Sequence, residues 1–316
     1  MIVPPRPAGS MLDAIGNTPV VQLNRVVPKG AGRVFVKLEY FNPTGSYKDR
    51  MAKTIILEAE RRGTLTAGMT VVEASGGSTG SSLAFVCAVL GYGFHVVSSN
   101  AFAQEKLRTI AAFGATVELI DSPSGKITAD LIPSMIARAR ELGAADDYLF
   151  SDQFNNTDSL AGYETIGQEL IAQFPDGITA FCGAVGIGGM LIGVARALKA
   201  VEPATRIILL EPASSPVVTQ GRAGTHHVEG IGIGFMPPLL REHPIYDEAR
   251  NISEAEARVM CRRLASEEGI FAGTSTGVNV VAAVALAREL GPAATVVTVA
   301  CDSGLKYTNG SLFERL

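Results

Sequence analysis

The sequence has few of the residues that mark secreted or metal-binding proteins. Four cysteines occur in 316 residues, and they show no CxxC spacing, so neither a disulfide framework nor a zinc site is predicted. Most of them lie in apolar runs, and we expect buried free thiols. The four histidines form no metal-ligand pattern, because the side chains of the adjacent His226 and His227 diverge on a helix or a strand. The sequence therefore predicts no metal site.

Long runs of basic or apolar residues are also missing. Lys and Arg together number 27 against 31 Asp and Glu, which gives a net charge of -4. No basic run is interleaved with aromatic residues, so nucleic acid is not an expected partner. The most apolar helical stretch, residues 278–286, is too short to cross a bilayer, and residues 1–7 are too rich in proline for a signal peptide. We expect a cytoplasmic protein that binds no membrane.

The chain does contain short β-branched runs that alternate with longer amphipathic stretches. Repeated strand–helix units of this kind predict an α/β fold in which a parallel sheet is covered by helices on both faces. The predicted strands cover residues 34–38, 70–73, 95–98, 117–120, 180–182, 207–210 and 296–301. The predicted helices cover residues 46–62, 79–90, 104–113, 132–142, 159–173, 191–200, 254–268 and 277–290.

Two glycine-rich stretches follow predicted strands and precede predicted helices, at residues 73–80 and 183–190. In such a sheet, ligands bind at the carboxyl ends of the strands, and helix N-termini favour anions. The two stretches therefore predict two bound anionic groups. A tight strand–helix turn explains residues 186–190 equally well from the residues alone. A dinucleotide site is disfavoured, because Glu202 lies before the next predicted strand and not at its end.

A single lysine stands where a strand passes into a helix. Residues 42–50 read Asn-Pro-Thr-Gly-Ser-Tyr-Lys-Asp-Arg, in which Pro-Thr-Gly predicts a turn, Ser46 a helix N-cap and Lys48 a place in the first helical turn. The positive end of the helix dipole lowers the pKa of an ammonium there, and the neutral amine is the form that makes a Schiff base. From these residues alone, an ordinary exposed lysine remains the alternative.

Ser275 opens another predicted helix, within residues 269–277. Its hydroxyl has two possible roles, as a helix N-cap or as a hydrogen-bond partner of a ring nitrogen in a bound heteroaromatic group. No Ser-His-Asp, paired-carboxylate or kinase-type pattern competes with these candidates.

Taken together, the motifs resemble the fold type II pyridoxal-phosphate enzymes, specifically the cysteine synthase/cystathionine β-synthase family, which share a tryptophan synthase β-like fold. The matching stretches run along nearly the whole chain, at residues 16–20, 38–39, 42–50, 75–80, 153–156, 163–167, 186–193, 229–232, 268–277 and 302–307.

The resemblance implies two domains, each with a mainly parallel twisted sheet flanked by helices. Residues 36–146 would form a smaller domain, and residues 1–35 and 147–316 a larger one, with the cofactor pyridoxal 5′-phosphate between them. It further implies a homodimer that acts on a small amino-acid substrate.

The resemblance also implies roles for individual residues. Lys48 would hold the cofactor as a Schiff base and shuttle the α-proton. The other cofactor-binding positions would be Ser78, Gly186, Ile187, Gly188, Gly189, Met190, Gly230, Ser275 and Asp302, of which Ser275 would face the ring nitrogen. The substrate α-carboxylate would be bound by Ser75, Gly76, Gly77, Thr79 and Gln153.

Two stretches depart from the pattern of the family. The asparagine that usually meets the 3′ oxygen of the cofactor is Ser78 here, so a roomier pocket is expected in which water or substrate fills the space. The usual Gly-Thr-Gly-Gly-Thr phosphate loop contains Ile187 and Met190 in place of its two threonines, which removes two hydroxyl donors.

The reaction predicted from the resemblance is β-replacement: an O-activated L-serine loses its leaving group, and sulfide or a related nucleophile adds to the resulting aminoacrylate. Three alternatives stay open. They are β-elimination by a lyase or deaminase acting on cysteine or serine, a cystathionine β-synthase-type condensation, and a non-catalytic protein that retains the cofactor.

Overall fold

The computed structural model describes residues 7–123, 125, 128 and 130–314. Its strands are β1 (Val20–Gln22), β2 (Arg33–Leu38), β3 (Thr70–Ala74), β4 (Gly93–Ser99), β5 (Thr116–Ile120), β6 (Tyr148–Phe150), β7 (Ala180–Ala184), β8 (Arg206–Pro212), β9 (Glu248–Ile252) and β10 (Thr295–Ala300). Its α-helices are α1 (Lys48–Arg62), α2 (Ser78–Leu90), α3 (Gln104–Ala112), α4 (Leu131–Leu142), α5 (Asp158–Gln173), α6 (Gly189–Val201), α7 (Val217–Gln220), α8 (Pro238–Glu242), α9 (Glu254–Arg263) and α10 (Thr274–Leu290). Short 3-10 helices cover Met11–Ala14, Glu39–Phe41 and Gly304–Tyr307, and a π-helical turn at Leu264–Glu268 follows α9.

The strands form two sheets. Within the described residues, one sheet has the order β1-β2-β10-β7-β8-β9 and the other the order β5-β4-β3-β6. All neighbouring strands in these sheets are parallel except β1, which runs antiparallel to β2. Parallel strands need crossovers, and the helices that supply them cover the sheet faces. The α/β fold predicted from the sequence is confirmed.

Strands that are covered on both faces are apolar along their whole length. Every residue of β7 and of β10 is buried, as expected when helices pack on both sides of a parallel sheet. Helix α10 is buried along most of its length, and its valines, alanines and leucines join the core of the six-stranded sheet. All four cysteines are buried free thiols, which confirms that prediction.

The structure adds three strands that the sequence did not predict. Two of them, β1 and β6, are three residues long, too short for a clear alternating pattern. The third, β9, has the sequence EARNI, in which charged residues hide the β-branched pattern. It pairs with β8 at the edge of the sheet.

Two of the helix starts that differ from the prediction concern candidate site residues. Helix α1 begins at Lys48 with Tyr47 as its N-cap, although the hydroxyl of Ser46 still accepts a hydrogen bond from the N–H of Lys48 at 3.3 Å. Helix α10 begins at Thr274, and Gly273 is its N-cap. Ser275 is therefore not a helix cap, because it lies inside the first turn.

The division into residues 36–146 and residues 1–35 with 147–316 remains a prediction. In the structure, β2 lies in the six-stranded sheet although residue 36 is at its centre, and β6 joins the four-stranded sheet although it begins at residue 148. Among the described residues, no helix is both long and apolar enough to cross a bilayer.

Candidate active site

The carboxyl ends of strands from both sheets face a common region, and Lys48 stands at the start of α1 beside it. Hydrogen bonds hold the two residues that flank Lys48 in sequence. The N–H of Tyr47 donates to the carbonyl of Cys301, just after β10, at 3.1 Å. The carboxylate of Asp49 accepts hydrogen bonds from the hydroxyls of Thr44 and Ser82, each at 2.6 Å. These contacts join the start of α1 to β10 on one side and to α2 on the other.

A buried network of ion pairs surrounds Arg50, in the first turn of α1. The guanidinium of Arg50 contacts Glu39 at 2.7 Å and Glu169 at 2.6 Å. Lys37 also pairs with Glu169, at 2.7 Å. Burial raises the pKa of Glu169, but the bonds from Arg50 and Lys37 outweigh burial and hold that pKa at about 2. Two carboxylates and two cations thus stabilise one another beneath the start of α1.

Lys48 itself carries a shifted amine. Burial lowers its pKa from 10.5 to about 8, against the electrostatic effects of Cys301 and Glu73, which raise it. Its Nζ lies 5.1 Å from the ring centre of Tyr47 and 5.8 Å from that of Tyr163. At pH 7 about a tenth of this side chain is the neutral amine, which is the nucleophilic form. The predicted lowering of the pKa is present, and its main cause is burial.

The glycine stretch after β7 shares a cavity with Lys48. That cavity is lined by Tyr47, Lys48, Ala184 and residues 186–191. Gly188 has a φ of +88°, which favours glycine. A Cβ at Gly186 would collide with the carbonyl oxygen of Gly230, so these two backbones approach as only glycine permits. The stretch ends at the N-terminus of α6, where backbone N–H groups are available to an anion.

The second glycine stretch, after β3, is organised by its own hydroxyls. The Oγ of Ser75 accepts hydrogen bonds from the N–H groups of Gly77 at 3.2 Å and Gly80 at 2.9 Å. The hydroxyl of Thr79 donates to Oε1 of Gln153 at 2.9 Å, and Gln153 Nε2 donates to the carbonyl of Ala74 at 3.0 Å. Ser75, Gly77, Thr79 and Gln153 are thus brought together, although Gln153 lies after β6.

Beside Lys48, the end of β10 contributes a third group of side chains. Burial raises the pKa of the Cys301 thiol to about 12, partly opposed by a hydrogen bond with the Ser275 side chain. Oδ2 of Asp302 accepts a hydrogen bond from Tyr307 at 2.7 Å, whereas its Oδ1 is buried with no partner among the described residues. Ser275 and Asp302 therefore lie at the same strand end as the backbone anchor of Lys48.

Several residues of this region were missed by the sequence analysis. The Nζ of Lys306 donates to Ser78 Oγ at 3.1 Å, and the expectation that water or substrate fills the space beside Ser78 stays a prediction. Gly76 leaves room for the ring of Phe102, which a Cβ at that position would strike. Lys106 pairs with Glu229. A lysine that follows a strand end by a few residues was the one available signal for Lys306.

A reactive lysine amine lies beside a glycine loop at a helix N-terminus. This combination defines a class of enzyme that holds a phosphorylated aldehyde cofactor on a lysine. Comparison with known proteins gives the particular family. The profile described as pyridoxal-phosphate dependent enzyme matches residues 11–302. The chain belongs to this family.

Named relatives are similar over their full length. A cysteine synthase of Staphylococcus aureus is 41% identical over 311 residues, covering 98% of each chain. The O-ureido-L-serine synthase of Streptomyces lavendulae is 34% identical, covering 96% of this chain and 92% of its own. The crystal structure of O-acetyl serine sulfhydrylase isoform 3 from Entamoeba histolytica superposes with a TM-score of 0.92 at 31% identity, covering 100% of this chain and 95% of that chain.

The residues present fit the cofactor. An amine with a lowered pKa, a glycine cradle that a Cβ would fill and a helix N-terminus match an aldehyde with a phosphate tail. Two buried polar atoms beside the site, Tyr163 OH and Asp302 Oδ1, have no partner among the described residues, so a polar ligand has groups left to meet. The family, the enzyme class and the cofactor predicted from the sequence are confirmed.

Proposed function

We propose that this chain catalyses β-replacement on an O-activated L-serine, with Lys48 as the residue that holds pyridoxal phosphate. The observation that carries the assignment is the position of Lys48, whose amine has a pKa lowered to about 8 and shares one cavity with the glycine loop before α6. The names of the relatives, a cysteine synthase and an O-ureido-L-serine synthase, support the same class of reaction.

The cofactor-binding residues divide into three groups by position. The backbone N–H groups of the loop before α6 bind the phosphate, and Gly230 packs against this loop. Because Ile187 and Met190 carry no hydroxyl, backbone donors alone serve the anion there. Ser275, in the first turn of α10, and Asp302, just after β10, would bind the ring, and Ser78 would meet its 3′ oxygen. The loop residues are Gly186, Ile187, Gly188, Gly189 and Met190.

The substrate is held by the loop after β3. Ser75, Gly76 and Gly77 surround the α-carboxylate, and the N-terminus of α2 supplies N–H donors to it. Thr79 and Gln153 are joined by a hydrogen bond at 2.9 Å, so each orients the other for the same carboxylate. This arrangement fixes the amino acid by its carboxylate and leaves its side chain free to react.

When bound, pyridoxal phosphate withdraws electrons from the α-carbon of an attached amino acid. The neutral amine of Lys48 would accept the α-proton on Nζ. The net reaction would exchange the substituent on the β-carbon: the leaving group would depart as an anion with its bonding electrons, and hydrosulfide or a related nucleophile would form the new bond.

Oligomeric state and location follow the resemblance as well. We infer a homodimer in the cytoplasm, as the resemblance to the cysteine synthase/cystathionine β-synthase family implies. One chain has a mass of 33.1 kDa. Analytical ultracentrifugation of the purified protein at micromolar concentration is expected to give twice this mass.

A panel of steady-state assays tests the function. O-acetylserine, O-phosphoserine and cysteine are each supplied with and without sulfide, and both the new amino acid and pyruvate are measured. Replacement requires an O-activated serine and sulfide together and yields cysteine. If pyruvate forms at the same rate with and without sulfide, the reaction is β-elimination instead.

Lys48→Ala and Lys53→Ala provide the matched pair for the site. Lys53 lies on the same helix, where its Nζ donates to the carbonyl of Leu12 at 2.9 Å. Only Lys48→Ala is expected to lose the visible absorbance of the cofactor and turnover. Borohydride reduction and peptide mapping should place the label on Lys48, and a label on Lys37 or Lys53 would refute the assignment.

A further inference from the structure

A lysine ammonium reaches the first residue of α2 from the opposite end of the chain. Nζ of Lys306 lies 3.1 Å from Oγ of Ser78, across 228 positions of sequence. Lys306 belongs to the 3-10 turn Gly304–Tyr307 that follows β10. The segment that anchors Lys48 thus also extends a cation to the substrate loop.

The direction of this hydrogen bond is fixed by chemistry. An ammonium has only donors, so the Ser78 oxygen must accept. The hydroxyl hydrogen of Ser78 is then free to donate to another group. Without Lys306, the same hydroxyl would be able to act as donor or as acceptor. The pair therefore presents one defined donor at the N-terminus of α2.

The surrounding contacts place this donor near the segment that carries Lys48. Ser82 lies one turn after Ser78 on the same face of α2, and its hydroxyl donates to Asp49, the neighbour of Lys48, at 2.6 Å. A Cβ built on Gly45 would lie 3.8 Å from Cε of Lys306. The Lys306 stem therefore runs beside the turn that leads into Lys48.

The charge of Lys306 is set by several groups. Burial lowers the pKa of Lys306, and the nearby charge of Lys106, from α3, lowers it further. The carboxylates of Asp302 and Asp49 act in the opposite direction and raise this pKa. Lys106 is itself paired with Glu229. The two carboxylates oppose the effect of burial only in part, and the pKa of Lys306 is lower than that of an ordinary lysine.

We propose that Lys306 is a positioning residue that fixes the Ser78 hydroxyl as a donor to the 3′ oxygen of the cofactor. The inference rests on the proposed function, which places Ser78 beside that oxygen. The positive charge of Lys306 also makes a proton on the bound cofactor easier to lose. Ser78 and Lys306 together supply the donor that one asparagine amide would supply.

The test measures cofactor affinity and the pH at which the visible absorbance of the bound cofactor changes. Lys306→Met is expected to weaken pyridoxal phosphate binding about tenfold and to raise the spectral midpoint by about one pH unit. Ser78→Ala should weaken binding similarly, and the double variant should lose little more, because the two side chains act as one unit. The control Lys29→Met, at an exposed lysine, should change neither quantity.

A rescue separates this role from general stability. Ser78→Asn combined with Lys306→Met should bind the cofactor more tightly than Ser78→Ala combined with Lys306→Met, because the asparagine brings its own donor. Unchanged affinity and spectral midpoint in Lys306→Met would overturn the inference. If circular dichroism shows that Lys306→Met does not fold, Ser78→Ala is the deciding variant. Wild-type affinity of Ser78→Ala for pyridoxal phosphate would also overturn the inference.

Failure of the cofactor placement on which the inference rests gives a different result. Lys48→Ala would then keep the visible band, whatever the behaviour of the Lys306 variants, whereas pyruvate formed without sulfide would refute β-replacement alone. If Lys48→Ala loses the band and Lys306→Met binds and titrates as the wild type does, only the role of Lys306 fails.

Discussion

The backbone N–H of Gln153 donates to Oε2 of Glu73 at 2.9 Å, although the two residues are 80 positions apart. The hydroxyl of Ser151 donates to the same oxygen at 2.7 Å, and the N–H of Ala74 donates to Oε1 at 2.9 Å. Glu73 therefore ties the end of β3 to the segment after β6. Through this tie it places Gln153 opposite Thr79 in the candidate substrate site.

Glu73 gives the first prediction, a pH-dependent stability. Burial raises its pKa from 4.5 to about 7, against the three hydrogen bonds, which lower it. Between these two pH values the folded state holds the proton more tightly than the unfolded state, so stability falls as pH rises from about 4.5 to about 7. The shift corresponds to about 3 kcal/mol. Glu73→Gln cannot ionise, so the difference between its unfolding free energy and that of the wild type should vary with pH.

Urea unfolding at intervals of one pH unit from 5 to 8 measures this difference. Glu58→Gln, on the outer face of α1 beside Arg61, provides the control, and its difference from the wild type should vary little with pH. A constant difference for Glu73→Gln over the same range would show that the Glu73 carboxyl does not titrate there.

The second prediction concerns how fast the apoprotein captures its cofactor. With a pKa of about 8, about a tenth of the Lys48 amine is neutral at pH 7, compared with less than about one in a thousand for an ordinary lysine. The rate of capture, followed by visible absorbance, should therefore rise with pH and level off above about pH 9. The reaction of butylamine with pyridoxal phosphate corrects for the ionisation of the cofactor itself. A midpoint near the ordinary lysine pKa would contradict the burial argument.

A third prediction follows from the contact between Gly76 and Phe102. Gly76→Ser brings a side chain into the space of the Phe102 ring, so the loop that carries Ser75 must move. Spectral titration with an amino-acid substrate should show about tenfold weaker binding. Phe102→Ala should restore much of this loss in the double variant, because the ring is then absent. Binding as weak in the double variant as in Gly76→Ser would place the cause elsewhere.

The fourth prediction compares two arginines of α1. Arg50→Ala leaves the buried Glu39 without the cation that pairs with it, and it should cost about 3–5 kcal/mol of unfolding free energy. Arg61→Ala removes an exposed pair with Glu58 and should cost less than about 1 kcal/mol. Urea unfolding at pH 7 measures both. Equal losses would mean that burial of the Arg50 network does not determine its contribution.

The sequence by itself determined the parts of the protein that are local. Strand–helix alternation predicted the fold, because a buried parallel strand is apolar and a covering helix is amphipathic. Lys48 at the strand–helix junction and the two glycine stretches were likewise readable, since a turn followed by a helix start requires particular residues within a few positions. The order of these motifs along the chain was enough to indicate the family and its cofactor.

Only the tertiary structure decided which distant side chains share the site. Lys306 with Ser78, Gln153 with Glu73 and Cys301 with Tyr47 are joined across 228, 80 and more than 250 positions. Such contacts leave no periodic pattern, because they depend on how two sheets and their crossovers bring strand ends together. Ser78 shows the consequence: the sequence indicated a short side chain at this position, and only the fold brought Lys306 into hydrogen-bond contact with it.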